Sequence, residues 1–347
     1  MIRIDGSLGE GGGQVLRSAL TLSLLTGTPI EIHNIRARRP KPGLMTQHLF
    51  AVQAAAEVGD AQVNGVHLGS TELTFEPHAI HAGDFRFDLH TAGSTSLILQ
   101  TITVPLSYAA APSSVVLIGG THVPWSPCFH YLALHWLRYL RGMGFDTELE
   151  LERAGFYPRG GGSVRGTIHP IKQPAPLRAI QRGALKRVWG ISAVANLSSQ
   201  VAERQQQRAL DRLKSVCEHV EIEIAQLTSV GRGTMLLLLA DFEHHQCCFY
   251  SLGARGKPAE QVAEEAVAEF KAFLATDGCV DAYLADQLIV PMAIADGISE
   301  LRTSKVTLHL ITNIEVVKLF LPVEIAVSGE IGVPGTIRIA GAPLSSR

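Results

Sequence analysis

Cysteine is scarce and never paired along the chain. The 347 residues include five, Cys128, Cys217, Cys247, Cys248 and Cys279, an odd number with no C-x-x-C among them. That pattern favours free thiols and a reducing cytoplasm over a disulfide scaffold. Long apolar runs are missing too: "LILQTITVPLSYAAAP" is broken by polar residues and proline well short of a bilayer span. The opening "MIRIDGSLGEGG" carries charge and glycine where a cleavable secretion signal carries an apolar stretch. Neither sign of charge is in excess. Thirty Lys and Arg stand against 32 Asp and Glu, a formal net charge of −2 with a pI near 6.7. A nucleic-acid partner must therefore be met by a local patch rather than by the whole surface. With 46% hydrophobic and 18% charged residues, the chain reads as a soluble, enzyme-like protein able to build a sizeable core in one large domain or two.

The local patch exists. Arg36, Arg38, Arg39 and Lys41 fall in "IRARRPKPGLMTQHLF", which runs straight into a helix start. Taken alone, such a run is a solvated basic turn or an anion site, and residue types do not choose between them.

Periodicity places a strand at "MIRIDGS", a helix at "QVLRSALTLSLLTG", a strand at "PIEIHNIRA" and a helix at "GLMTQHLFAVQAAAEVG". Strand-rich stretches follow near 61–77 and 83–90, then a helix opening at Ser94 and ending or kinking near Pro105. "SSVVLIGG" reads as a buried strand. "SPCFHYLALHWLRYLRGMG" reads as a helix with Ser126 as N-cap and Pro127 in its first turn. "GEGGGQVLR" at 9–17 is similar to "PRGGGSVRG" at 158–166, which predicts an internally repeated α+β unit. A β-α-β-β-α run over 183–276 predicts an inserted small domain, with a long helix at "QVAERQQQRALDRLKSVCEHV". Its order is similar to thioredoxin without the redox cysteines, so a structural or substrate-guiding role is expected. The rest, 1–182 and 277–347, forms the large domain. Near its end, "KVTLHLIT" predicts a strand carrying His309, followed by a helix that Thr312 or Asn313 caps with Glu315 completing a capping box.

Chemistry can be sought at four places. "DGSLGEGGGQVLR" sets glycines between a strand and a helix, where exposed N–H groups attract phosphate. A tight turn is the simpler account, neither nucleotide-binding glycine pattern is satisfied, and Glu10 suits phosphate only if it holds a divalent metal or a ribose hydroxyl. "FEHHQCC" brings His244, His245, Cys247 and Cys248 together in sequence, but a strand turns neighbours to opposite faces. His245 and Cys247 share a face, and two ligands do not make a zinc site. His309 is either a satisfied core histidine or, as a neutral imidazole, a nucleophile that needs no separate base. Asp286 and Gln287 are polar residues in the otherwise apolar "YLADQLIVPM", a solvated face or a site.

Together, "DGSLGEGGGQVLRSAL", "IRARRPKPGLMTQHL", "TAGSTSLILQT", "GFYPRGGG", "YLADQLIVPMA" and "HLITNIEVV" resemble the RNA 3′-terminal phosphate cyclases, from residue 5 to about 322. The resemblance implies an α+β fold. It consists of a large domain of three repeated βα units, each like the C-terminal domain of translation initiation factor three, with a small thioredoxin-like α/β domain inserted. It implies ATP-dependent conversion of an RNA 3′-phosphate into a 2′,3′-cyclic phosphate, with a divalent metal, Mg2+ or Mn2+, as cofactor. His309 matches the histidine that is adenylated. Glu10, Gln14, Arg17, Arg36, Arg39, Gln47, Asp286 and Gln287 fall on the polar motifs of the site, Glu10 also as metal ligand, and Pro127 and Tyr283 sit where side chains flank adenine. The expected partners are ATP and RNA 3′-phosphate ends, without a membrane, the oligomeric state being left open. Three rivals stand against this reading. One is a non-catalytic cyclase-like protein of ribosome assembly, a class that lacks the nucleophilic histidine. The others are a plain RNA-binding module and an enolpyruvyl-transferase-like enzyme on similar repeats.

Overall fold

In the computed structural model, which describes residues 1–344, the chain begins with β1 (Ile2–Asp5), α1 (Gly13–Thr26), β2 (Ile30–His33), α2 (Thr46–Val58), β3 (Gln62–Asn64) and β4 (Leu73–Glu76). It continues with β5 (Asp84–Asp88), α3 (Thr95–Leu106) and β6 (Ser113–Gly119). A broken helix comes next: α4 (Phe129–Tyr131), a π turn (Leu132–Trp136) and α5 (Leu137–Gly142). β7 (Thr147–Arg153), β8 (Gly162–Ile168) and β9 (Arg178–Ala179) complete this half. Then come β10 (Leu185–Ala195), α6 (Ser199–Leu213), β11 (Val220–Gln226), β12 (Gly233–Phe242), β13 (Gln246–Leu252) and α7 (Ala259–Leu274). The last elements are α8 (Ala282–Gln287), α9 (Ile289–Ala293), β14 (Ile298–Thr303), α10 (Leu308–Phe320), β15 (Glu324–Ser328) and β16 (Gly335–Ala340).

These strands make four four-stranded sheets, a mixed α+β architecture. Three sheets share one order: β1-β2-β4-β3, β5-β6-β8-β7 and β9-β14-β16-β15. In each, the first pair is parallel and the other two pairs are antiparallel. Parallel neighbours need a crossover, which α1 and α3 supply in the first two sheets. The fourth sheet, β11-β10-β12-β13, is built differently, with β10 parallel to β11 and antiparallel to β12. Its centre is "MLLLLA", whose six residues are at most 1% exposed, as expected of a strand covered on both faces: Leu236, Leu238 and Ala240 pack under α6 and α7, while Met235, Leu237 and Leu239 join the main core.

The helix behind the site is α1. Ten of its 14 residues are buried, because it packs against α2, α3 and α10 at once. Its buried hydroxyls are satisfied, Thr21 donating to the Thr101 carbonyl at 2.9 Å and Ser23 to that of Thr28 at 2.6 Å. Truncating a leucine as enclosed as Leu20 (0% exposed) costs about 2–5 kcal/mol.

Several expectations change. His309 lies on a helix, not on a strand. Thr307 takes extended backbone and accepts from the Leu310 N–H at 3.0 Å, so α10 starts ahead of the histidine. Thr312 and Asn313 lie inside that helix. Cys128, not Ser126, precedes α4, with Ser126 Oγ instead donating to the Val123 carbonyl. The long polar helix stops at Leu213; 214–219 turn the chain, and of the predicted stretch only Val220 enters the edge strand β11. The two similar glycine runs serve different ends, since 9–13 opens a helix while 158–162 enters strand β8.

Candidate active site

Where β1 meets α1, the chain turns sharply: Leu8 N–H donates to Asp5 O at 3.1 Å and Gly11 N–H to Leu8 O at 3.0 Å. Gly9 holds φ +59°, and a Cβ there would sit 1.9 Å from Thr312 Oγ1 on α10. Only glycine lets this loop lie directly on the first turns of α10. Gly13 is as tightly placed, its missing Cβ pointing 2.3 Å from His48 Nε2. No side chain caps α1 and its first turn holds no acid, which leaves its leading N–H groups open to an anion.

This contact brings Glu10 to His309. His309 Nε2 lies 2.8 Å from Glu10 Oε2, and Arg39 Nη2 donates to the same oxygen at 3.2 Å. On its other side, Nδ1 of His309 is hydrogen-bonded to Gln14 Oε1. Burial pushes the imidazole below its ordinary pKa; Glu10 opposes this, while Arg17 and Arg39 add to it. The lowering favours the neutral ring. Because Gln14 Oε1 and Glu10 Oε2 both only accept, its single proton serves one of the two contacts and leaves a lone pair on the other nitrogen. The ring's place in the first turn of α10 acts the same way as burial, because a helix N-terminus disfavours a cation.

Behind Gln14 stand Arg17 and Asp286, which influence each other electrostatically. Arg17 and Asp286 each retain some accessible surface, yet their charged ends are enclosed. Desolvation lowers Arg17 to about 10 and raises Asp286 to about 7, with Arg17 opposing the rise and a hydrogen bond from Gln14 doing the same. Gln14 therefore turns its amide N–H₂ to Asp286 and its oxygen to His309. Asp286 gives a pH test. The folded carboxyl keeps its proton up to about pH 7, whereas the unfolded one loses it near its ordinary 3.8. The folded state binds more protons in between, so this group makes stability fall as pH rises from about 4 to 7. Asp286→Asn should remove that fall. The midpoint of the variant minus that of the unchanged protein, followed by thermal melting, should grow over this window and level off above it. A pH-independent difference would contradict the assignment.

The remaining predicted residues spread outward. Gln287 accepts from Gln100 Nε2 at 2.7 Å. Tyr283 is 61% exposed at the start of α8. It lies on one side of Tyr250, whose hydroxyl donates to the Ser126 carbonyl at 2.8 Å, next to Pro127. Gln47 lies against the 91–93 turn, where a Cβ on Gly93 would approach its Cβ to 3.7 Å. Arg36 is spent on its own loop. It holds φ +54°, and its Nη1 donates to the carbonyls of Lys41 at 2.7 Å and Gly43 at 2.9 Å. Of the basic run, then, Arg39 faces His309, Arg38 binds the Gly9 carbonyl at 2.9 Å, and Arg36 shapes the turn.

Other residues support the site without having been singled out. His48 is buried and pushed down to about 3, first by burial and then by Arg17 and Arg36. As a neutral ring it accepts the Met45 N–H at 3.1 Å. Asn313 bridges three elements: it accepts from Ser18 Oγ of α1 at 2.5 Å and donates to the Asp286 carbonyl of α8 at 2.8 Å. Asp281 caps α8 through the N–H groups of Tyr283 and Leu284. It also receives His135 Nε2 at 2.9 Å and Tyr131 Oη at 3.1 Å from the π-turn region. Near the β12–β13 turn, His245 stacks on Tyr139 and Cys247 Sγ donates to the Cys279 carbonyl at 3.3 Å. Among the described residues no three His, Cys, Asp or Glu side chains are grouped to hold a metal, and no helix is long and apolar enough to cross a membrane.

Comparison with known proteins agrees with this gathering of motifs. The sequence matches the RNA 3′-terminal phosphate cyclase family over residues 8–327. An RNA 3′-terminal phosphate cyclase of Ralstonia nicotianae is 46% identical over 331 residues, covering 95% of this chain and 94% of its own. Those of Methanopyrus kandleri and Thermococcus kodakarensis are each 42% identical, over 98% and 99% of both chains respectively. A solved enolpyruvyl transferase, NikO from Streptomyces tendae, is 11% identical and covers 100% of this chain and 50% of its own. Its TM-score of 0.41 is too low to bear on the fold. With the match running through every motif that surrounds His309, the chain belongs to the RNA 3′-terminal phosphate cyclase family.

Proposed function

We propose that this enzyme uses ATP to close an RNA 3′-terminal phosphate into a 2′,3′-cyclic phosphate, through adenylate carried on His309. The observation that carries the reading is the placing of a neutral imidazole between Gln14 and Glu10, beside Arg39, where the first turns of α1 and α10 meet. Gln14, oriented by Asp286, accepts the hydrogen bond of Nδ1–H and so directs the lone pair to Nε2, with Glu10 turning from the ring to the metal it would hold so that this nitrogen is free. That nitrogen attacks the α-phosphorus of ATP, the bond to the bridging oxygen breaks, and pyrophosphate leaves. Arg39, Arg17 and the open N–H groups of α1 lie where they offset its charge. Pro127 and Tyr283 flank the adenine, and Gln47 and Gln287 complete the polar rim.

The RNA 3′-phosphate oxygen then displaces His309 from the adenylate, giving a mixed anhydride. The neighbouring 2′-hydroxyl attacks the RNA phosphorus, loses its proton and expels AMP. This last step needs little beyond positioning, because nucleophile and phosphorus belong to one nucleotide. A divalent metal fits the same place. Glu10 presents a half-exposed carboxylate beside the nucleophile, and one carboxylate with substrate phosphates and water suits Mg2+ or Mn2+. Such an ion would supply charge neutralisation for the departing pyrophosphate.

The three sheets with one strand order are the repeats of the large domain, 1–182 and 277–347. The differently ordered fourth sheet is the inserted domain, 183–276, of thioredoxin-like build. It carries no residue of the site motifs, so support or RNA guidance is its task. The unpaired cysteines suit a reducing cytoplasm.

Incubation with labelled ATP and a 3′-phosphorylated oligoribonucleotide tests the reading: one cyclic end and one AMP should form together. Glu10→Ala should slow the metal-dependent adenylation by about 10²–10³, the usual effect of removing one transition-state contact. A variant that keeps the unchanged rate in a single turnover would make Glu10 structural.

A further inference from the structure

Trp125 and Tyr157, the two most exposed of the phenylalanine, tyrosine and tryptophan side chains among the described residues, stand on adjoining loops beside the site. Trp125 is 99% exposed and Tyr157 68%. Trp125 holds φ +66°, a left-handed backbone that a bulky side chain adopts only under steric strain. The loop is nevertheless held firmly. Thr121 and His122 N–H groups donate to the Gly155 carbonyl at 2.9 and 3.0 Å, Phe129 N–H donates to Thr121 O at 2.8 Å, and Tyr250 Oη grips the Ser126 carbonyl. Strain maintained to hold an indole in water indicates a ligand for the indole.

The same pairing brings Tyr157 close. Phe156 stacks on His122 at 5.0 Å and bridges to it, so the reach of the chain keeps the Trp125 and Tyr157 Cα atoms within about 20 Å. Arg159 is exposed there, its Nη1 donating to the Val230 carbonyl at 3.2 Å. The loops 121–130 and 155–162 contain no Asp or Glu. They also join the site on both flanks. The backbone of Gly160 packs on Thr91–Ala92, the turn that touches Gln47, and Ser126 precedes Pro127.

We infer that Trp125, with Tyr157 and Arg159 beside it, is a stacking platform for the single-stranded RNA nucleotides that lead into the terminal phosphate. The inference rests on the cyclase reading for the identity of the polymer. Exposed aromatic faces accept any base, and an unopposed arginine accepts the intervening phosphate, which suits an enzyme that acts on ends rather than on one sequence.

The test compares Trp125→Ala, Tyr157→Ala and Trp125→Phe in the full chain. Loss of one stacked base should raise KM for a 3′-phosphorylated decanucleotide about 5- to 150-fold in the alanine variants. Protein–AMP formation from ATP alone should not change, nor should KM for a dinucleotide bearing the same 3′-phosphate. Trp125→Phe should restore most of the loss. Binding is read separately by fluorescence: the decanucleotide should quench indole emission in the unchanged protein, and the quench should vanish in Trp125→Phe. Unchanged KM with no quench overturns the platform. A raised KM for ATP assigns the ring to adenine instead, and an equal loss on both oligonucleotides assigns it to the terminus; either result also overturns it. If the unchanged protein quenches on RNA but closes no ring, the cyclase reading has failed and the platform has not.

Discussion

His309→Ala is expected to abolish protein–AMP formation while leaving the fold intact. The loss should be complete rather than partial, because no other described nucleophile shares the contact set of Gln14, Glu10 and Arg39. The fold should survive for local reasons. The side chain of His309 is 41% exposed, the cap that starts α10 belongs to Thr307, and alanine is the better helix former. The linkage supplies its own check, since a phosphoramidate is acid-labile and comparatively stable to base. Circular dichroism and melting midpoint should match the unchanged protein, so lost label cannot be ascribed to unfolding. Undiminished, acid-labile label on the variant would remove His309 from the mechanism, and with it the reason for Gln14 and Asp286 to be aligned behind it.

Much of this candidate site was legible in the sequence because its parts sit in short, polar motifs: Glu10, Gln14 and Arg17 within eight residues, Arg39 in a basic run, Asp286 and Gln287 as neighbours. Their partners were not legible. Nothing local shows that Arg17 acts on Asp286, or that Asn313 reaches Ser18 of α1, since those residues are separated by most of the chain. The element under His309 was misread for an identifiable reason. "KVTLHLIT" alternates apolar and polar residues like a strand, and one hydrogen bond that the Thr307 hydroxyl accepts from the Leu310 N–H decides for helix. The shared strand order of three sheets was equally hidden, because their strands are short and chemically unlike. A similarity of glycine runs pointed to two places that the fold does not make equivalent. The basic run divides in a way that only geometry reveals, with Arg36 turned back on its own loop and Arg39 on Glu10.

An RNA ending in a 3′-phosphate on a 2′-deoxy sugar should be adenylated and then stall. If His309 passes adenylate to the RNA phosphate before ring closure, everything up to the anhydride is independent of the 2′-hydroxyl. Removing that hydroxyl removes the last nucleophile and nothing else. The anhydride should therefore accumulate on the deoxy end, with AMP appearing only by slow hydrolysis, whereas a ribose end should give its cyclic phosphate and one AMP. The contrast should be large, because closure on the ribose end enjoys the advantage of a tethered nucleophile, of the order of 10⁵ M or more in effective concentration. Water is the substitute nucleophile on the deoxy end, and it lacks the advantage of the tether. Mass measurement of the deoxy-ended product decides the order of steps. An added adenylate places the RNA phosphate, activated in trans by the histidine, before the ring; an unmodified strand means that ATP is consumed without activating the RNA, and the relay through His309 is wrong.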